Sequence, residues 1–170
     1  AIATFHSAGI RVHGMFMLGA DQDDMSIVKT TRKFAKKNQI DTIQFMALTP
    51  LPGTEVFKQF ETNGRLLHRL WRYYDALHVV FKPKNFTPID LQENVIQSFE
   101  NFYSLLNTSN KALNEVSKNL IGFFEKTYKK FNAPVFSNTV LRLGGILVVK
   151  RWLHTNIDYM EYLKKYISIK

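Results

Sequence analysis

The sequence has no cysteine in 170 residues. Disulfide bonds, thiolate nucleophiles and cysteine-ligated metals are therefore excluded within this chain. Long apolar runs are also missing. The longest, Leu143 to Val149 in "LRLGGILVVKRW", falls far short of the roughly 20 residues that span a bilayer, so no transmembrane segment is expected. Nothing near Ala1 resembles a secretory signal, and a cytoplasmic location is the default expectation. Acidic residues are scarce toward the end: residues 111–170 hold 11 basic and 4 acidic side chains, while residues 1–110 hold 12 and 10. Most of the net charge of +9 thus lies in the last third. Such a field bears on association and solubility rather than on a reaction.

What is present is the material for a core, with 45% hydrophobic residues. "AIATFHSAGI" reads as the last turns of a helix closing at Gly9, so the chain is expected to be a fragment that starts in the middle of an architecture. "IRVHGMFML" over Ile10–Leu18 and "DTIQFMAL" over Asp41–Leu48 read as buried strands. Between them, acidic residues at 21–24 precede a helix to about Lys37, with Ile27, Val28, Phe34 and Ala35 on one face. Strand, helix and strand with short links imply parallel pairing. "TPLPGT", residues 49–54, then ends the second strand with a stiff loop. In parallel α/β folds such loops form the ligand-facing rim. Thr54 is placed to cap a helix that stops at Asn63-Gly64.

An aromatic stretch, Trp71, Tyr73 and Tyr74, follows with Arg69, Arg72, Lys82 and Lys84 interleaved, before a strand-like "HVVF". Packing of this loop onto the core is expected in place of nucleic-acid stacking. The rest reads as helices: one capped by Thr87 with Pro88 and the stripe Leu91, Val95, Phe99, Phe102, Leu106; one over 110–131 with Leu113, Val116, Leu120 and Phe124; and two more over 137–153 and 156–166. Residues 1–85 and 86–170 are accordingly read as an α/β part and a helical extension. Asp21, Asp23 and Asp24 do not make a calcium loop. Counting from Asp21, Ser26 stands at the required glycine and Arg32 at the required glutamate.

"GIRVHGMFMLGAD", "KFAKKNQIDTIQFMALTPLPGTEVFKQFETNGRLL" and "YDALHVVFKPKNFTPIDLQ" together resemble the C-terminal part of radical S-adenosylmethionine (radical SAM) enzymes, in the branch with a cobalamin-binding-type N-terminal domain. The likeness runs from residue 1 to about 105, and "GILVVKRW" with "DYMEYLKKY" is similar to that branch's tail. It implies an incomplete (β/α)6 barrel, of which this chain would carry the fifth and sixth strands. It also implies reductive cleavage of S-adenosylmethionine by a 4Fe-4S cluster on a CxxxCxxC loop, a small-molecule substrate, and possible use of cobalamin. This chain lacks those cysteines, so activity would need the upstream half of the same protein.

The fifth-strand pattern GxIxGxxE is met in part by Gly14, Phe16 and Asp21, with Leu18 in place of the second glycine and Gly19 beside it. By that resemblance Phe16 would lie near the adenine, Leu48 and Thr49 would face the cofactor, and Gly19 would allow close approach. His13 and Gln44, the polar interruptions of the two strands, would orient substrate. A second expectation, from a different class, is a helical module whose basic last third binds an anionic membrane surface or an acidic partner.

Overall fold

The computed structural model describes residues 1–104 and 133–168. The expected helix over 110–131 and Leu106 lie outside them. The elements in order are α1 (Ile2–Ser7), β1 (His13–Leu18), α2 (Met25–Lys37), β2 (Thr42–Ala47), α3 (Glu55–Thr62), a 3-10 turn (Trp71–Tyr73), α4 (Pro88–Phe102) and α5 (Ala133–Ser168). The chain is α/β. Its two strands pair in parallel, His13 opposite Thr42 through to Leu18 opposite Ala47.

Side chains that were legible as caps do close the helix starts. Asp24 accepts the Ser26 amide at 2.7 Å and Thr54 the Phe57 amide at 3.2 Å. At α4 Thr87 and Asp90 form a reciprocal pair, each side-chain oxygen taking the other's backbone amide.

Alternate strand residues face the helices. Leu18, Ile43, Phe45 and Ala47 are buried there against Val28 and Ala35 of α2, Leu91, Val95 and Phe99 of α4, and Ile146 and Val149 of α5. Residues before and after position 85 thus share one core. Phe45 lies at its centre, 6.0 Å from the Phe16 ring and 5.7 Å from that of Phe99. A smaller core of Leu67, Tyr159 and Leu163 joins the second half of α5 to the segment after α3.

Two expectations need correction. "HVVF" is not a strand, since only Phe81 makes an isolated antiparallel bridge, to Leu66. The Val79 amide instead donates to the Gln92 side chain at 2.7 Å, and that side chain donates back to the Leu77 carbonyl at 2.9 Å. The two helices expected over 137–153 and 156–166 are one continuous helix. The Gly144-Gly145 pair lies within it, and the Tyr103 ring packs where a side chain at Gly145 would stand. No helix among the described residues is long and apolar enough to cross a membrane.

The two edges of the sheet differ. Along β2 the Ala47 amide donates to the Ala76 carbonyl at 2.8 Å, and the Tyr103 hydroxyl takes the Ile43 amide at 3.0 Å while donating to its carbonyl at 2.9 Å. A loop and a tyrosine therefore occupy that edge. Along β1 the backbone groups of His13, Met15 and Met17 point away from β2, and no backbone partner stands there among the described residues. An open strand edge of this kind is a template for another strand.

Candidate functional site

The face of the sheet turned away from the helices carries His13, Met15 and Met17 from β1 and Thr42, Gln44 and Met46 from β2. Met15 and Met17 are 61% and 58% exposed. A polarizable, adaptable apolar surface with one amide set between thioethers results, since Gln44 is paired with Met15 across the ladder. His13 Nδ1 and Thr42 Oγ1 share a hydrogen bond of 2.8 Å at the far end of this face.

The residues expected to form a site do not all meet. His13 and Gln44 share the open face. Phe16 is on the opposite one, stacked on Phe45 and edge-on to Phe34 at 6.1 Å. Leu48 and Thr49 follow β2 at the C-terminal rim, where the Leu48 amide donates to Leu18 at 2.9 Å and the Thr49 hydroxyl to Ala47 at 3.1 Å. Gly19 shares that rim with φ of +98°, but what approaches it closely is the chain's own core. A Cβ there would come 2.6 Å from Leu91 Cδ2 and 3.2 Å from Phe81 Cζ.

The acidic residues of the first rim loop are engaged internally. Asp23 accepts the amides of Gly19 and Ala20, both at 2.9 Å. Asp21 receives both terminal nitrogens of Arg65, at 3.1 and 2.7 Å, and Lys84 at 2.8 Å. These bonds hold the Asp21 carboxyl below its ordinary value. The Arg65 guanidinium also lies 4.0 Å from the centre of the Phe60 ring. Replacing Arg65 with alanine should therefore lower stability by about 1–3 kcal/mol, and Arg65→Lys should recover little of it, because an ammonium cannot make the forked pair. Urea midpoints of the two variants measure this. Equal stability of Arg65→Lys and wild type would contradict it.

Next to the C-terminal end of β2 is a cluster of histidines and tyrosines that no local sequence pattern announced. Tyr159 of α5 donates its hydroxyl proton to the Val79 carbonyl at 2.7 Å, so it accepts from His68 Nε2 at 3.0 Å. His68 Nδ1 in turn accepts the Leu70 amide at 3.3 Å. The neutral Nε2–H tautomer satisfies all three bonds. Burial, and then the neighbouring His78, push the His68 ring down from 6.5 to about 4. The unfolded chain therefore takes up this proton before the folded one. Stability should be level above pH 6.5 and fall as the pH drops from there toward about 4. Urea midpoints across that window check it, and His68→Gln should flatten the slope.

Beside this pair, His78 Nδ1 lies 2.9 Å from both carboxylate oxygens of Asp75. Sequence reading passed over these two residues, although Asp75-x-x-His78 was visible as a spacing.

Comparison with known proteins supplies what this geometry lacks. Over 103 residues the chain is 34% identical to an uncharacterized methyltransferase of Pyrococcus horikoshii, a match covering 61% of this chain and 22% of that protein. The chain is similar to methyltransferases. It is 30% identical over 97 residues to the bacteriochlorophyllide d C-8(2)-methyltransferase of Chlorobaculum tepidum, and 34% identical over 96 residues to the C-12(1)-methyltransferase of the same organism. These matches cover 57% and 56% of this chain, and 22% and 21% of those proteins. The matched part thus spans about a fifth of the length of these relatives. No protein-family profile matches the sequence.

These similarities correct the family expectation. All three relatives are named for methyl transfer and none for radical cleavage of S-adenosylmethionine, so the assignment to a radical SAM fragment and to that reaction is replaced. The 4Fe-4S cluster has no support in a chain without cysteine, and cobalamin has none in the relatives' names. The module for membrane or acidic-partner binding is likewise unsupported by relatives that are enzymes.

Proposed function

We propose that the chain is part of an S-adenosylmethionine-dependent methyltransferase. The observation that carries this reading is the 30–34% identity, over about a hundred residues, to three proteins named as methyltransferases. S-adenosylmethionine supplies an electrophilic methyl group on a sulfonium. Two features of the chain suit a bound donor and an acceptor with apolar surface. The open face offers thioethers from Met15, Met17 and Met46 around the Gln44 amide, and the rim offers the backbone at Leu48 and Thr49. In this reading His13 and Gln44 orient the acceptor, Leu48 and Thr49 lie toward the donor, and Phe16 and Gly19 shape the wall from behind.

The remaining part of the enzyme would pair further parallel strands along the open edge of β1. The α/β part, 1–85, would then carry the binding face, and 86–170 would cover its back. A small molecule would be the acceptor, and two relatives are named for bacteriochlorophyllide d.

Methyl-tritiated S-adenosylmethionine incubated with bacteriochlorophyllide d and the whole enzyme of which this chain is part tests the reading. Label in the acceptor is the expected result, with Gln44→Leu weakening retention of the acceptor and leaving retention of S-adenosylmethionine in place. Absence of transfer together with no retention of S-adenosylmethionine in equilibrium dialysis would overturn it.

A further inference from the structure

We infer that the outer face of α2 is a docking surface for the phosphodiester backbone of a nucleic acid, held by Lys29, Arg32, Lys33, Lys36 and Lys37 without regard to base sequence. None of the five belongs to the face or the rim assigned to methyl transfer.

The helix carries these five basic side chains and no acidic one. Val28, Thr31 and Ala35 form its buried side, so the helical period puts Lys29, Lys33 and Lys36 on one outward stripe, with Arg32 and Lys37 flanking it. The four lysines are exposed and Arg32 is half-buried. Opposite charges three or four residues apart support a helix, but Lys29–Lys33, Arg32–Lys36 and Lys33–Lys37 are like-charge pairs at that spacing and each disfavours it. Lys36 and Lys37 are offset by the negative C-terminal end of the helix. Lys29, Arg32 and Lys33 have no such compensation.

Among the described residues none of the five has an ion-pair partner. The acidic residues before and after α2 are committed elsewhere. Asp21 holds Arg65 and Lys84, Asp23 the amides of Gly19 and Ala20, Asp24 the Ser26 amide, and Asp41 His6 and the Val12 amide. On α4, which packs beside α2, Asp90 closes its own cap with Thr87, and Glu93 and Glu100 line the groove toward α5. Five uncompensated cations on one face therefore attract an anion from outside.

The chemistry of the patch selects a phosphate backbone. Four of the five cations are lysine, a point charge without the fork that reads a base edge or a carboxylate, and lysine is depleted at protein–protein interfaces. A helix that binds a lipid surface exposes a broad apolar side next to its charges. Here Val28 and Ala35 are buried, and Met25 and Phe34, the exposed large apolar residues of α2, stand on different sides of it. Lys29 to Lys37 rise by about 12 Å, a length over which one strand sets about four phosphates.

Fluorescence anisotropy of a short labelled single-stranded RNA with the full chain tests the surface. With about four phosphates neutralised, the affinity should fall with salt at a log–log slope of about −3, a loss of about fiftyfold between roughly 50 and 200 mM. The triple variant Lys29→Gln, Lys33→Gln, Lys36→Gln should bring the slope to about −1 and weaken binding equally for RNAs of different sequence. Its three positions are exposed, and its urea midpoint should be unchanged or slightly raised, since like-charge pairs are removed. A control triple, Lys58→Gln, Lys150→Gln, Arg151→Gln, makes the same change in charge at exposed positions of α3 and α5 and should leave the slope as it was. Equal weakening by the two triples would reduce the effect to net charge and overturn the proposal. So would absence of binding at low salt. Tighter binding to polyglutamate or to phosphatidylserine vesicles than to RNA would overturn it as well, in favour of an acidic protein or a membrane. A DNA duplex presents the same phosphates, so preference for it over RNA would support the surface and identify its source.

Discussion

Replacing Tyr159 with alanine is expected to lower the stability of the protein by about 3–5 kcal/mol, the cost of emptying a large, fully buried aromatic site. The side chain is 1% exposed and is the centre of the contact between α5 and the segment 67–79. Tyr73, His78, His68 and Tyr162 all place their rings within 4.4 to 6.0 Å of it. Tyr159→Phe separates packing from hydrogen bonding. It keeps the ring but leaves the Val79 carbonyl and the His68 Nε2–H without their partner, at about 1–3 kcal/mol. Domains have only about 5–15 kcal/mol in total, so the alanine variant should be close to unfolding at ambient temperature. Urea denaturation of the pair measures both costs. An alanine variant within 1 kcal/mol of wild type would mean that the second half of α5 does not dock as described.

The second large effect is at Gly19. Valine there should cost about 2–4 kcal/mol, from two sources that can be told apart. One is backbone strain, because φ is +98° and a β-branched residue is poorly tolerated in that region. The other is overpacking, because the added Cβ would stand 2.6 Å from Leu91 Cδ2 in a side chain that is fully buried. Gly19→Ala should show the strain with less crowding. Combining Gly19→Val with Leu91→Ala should make the two substitutions less costly together than the sum of the separate effects, because the second removes the atom that the first strikes. Strict additivity in a denaturant-melt cycle would show that Leu91 is not what Gly19 accommodates. The requirement for glycine at this position is thus accounted for inside the core, without a ligand.

Much of the local architecture was legible because it depends on neighbours in the chain. Asp24, Thr54 and the pair Thr87–Asp90 act on amides two or three residues away, which is why their roles could be read from spacing. The two strands could be read for a similar reason. Apolar residues bounded by turn signals and separated by an amphipathic helix leave little choice but parallel pairing. The candidate site was less legible. His13 and Gln44 do share a face, as strand alternation requires, but Phe16 is on the other, since it falls on the same parity as Gly14 and Leu18. Nothing in the composition of β1 says which parity the helices will cover, and Met15 and Met17 are as apolar as Phe16 and Leu18.

The errors arose where a long-range partner decides the outcome. "HVVF" has the composition of a strand, yet Gln92 takes the Val79 amide and the Leu77 carbonyl from 13 and 15 residues away, and those groups are then lost to a ladder. The helices expected over 137–153 and 156–166 run on as one, α5, with the Tyr103 ring packed where a side chain at Gly145 would stand. His68 and Tyr159 are 91 residues apart, too far for any motif to join them.

By itself, then, the sequence determined the helix starts, the parallel pairing and the exclusion of thiolate chemistry, since each depends on residue type or on contacts within a few positions. Which face of the sheet stays open, which strand edge is covered, and how His68, Asp75 and His78 meet Tyr159 were decided only in the tertiary structure. These outcomes depend on burial and hydrogen bonds between segments tens of residues apart, whose free energy exists only once the chain has packed.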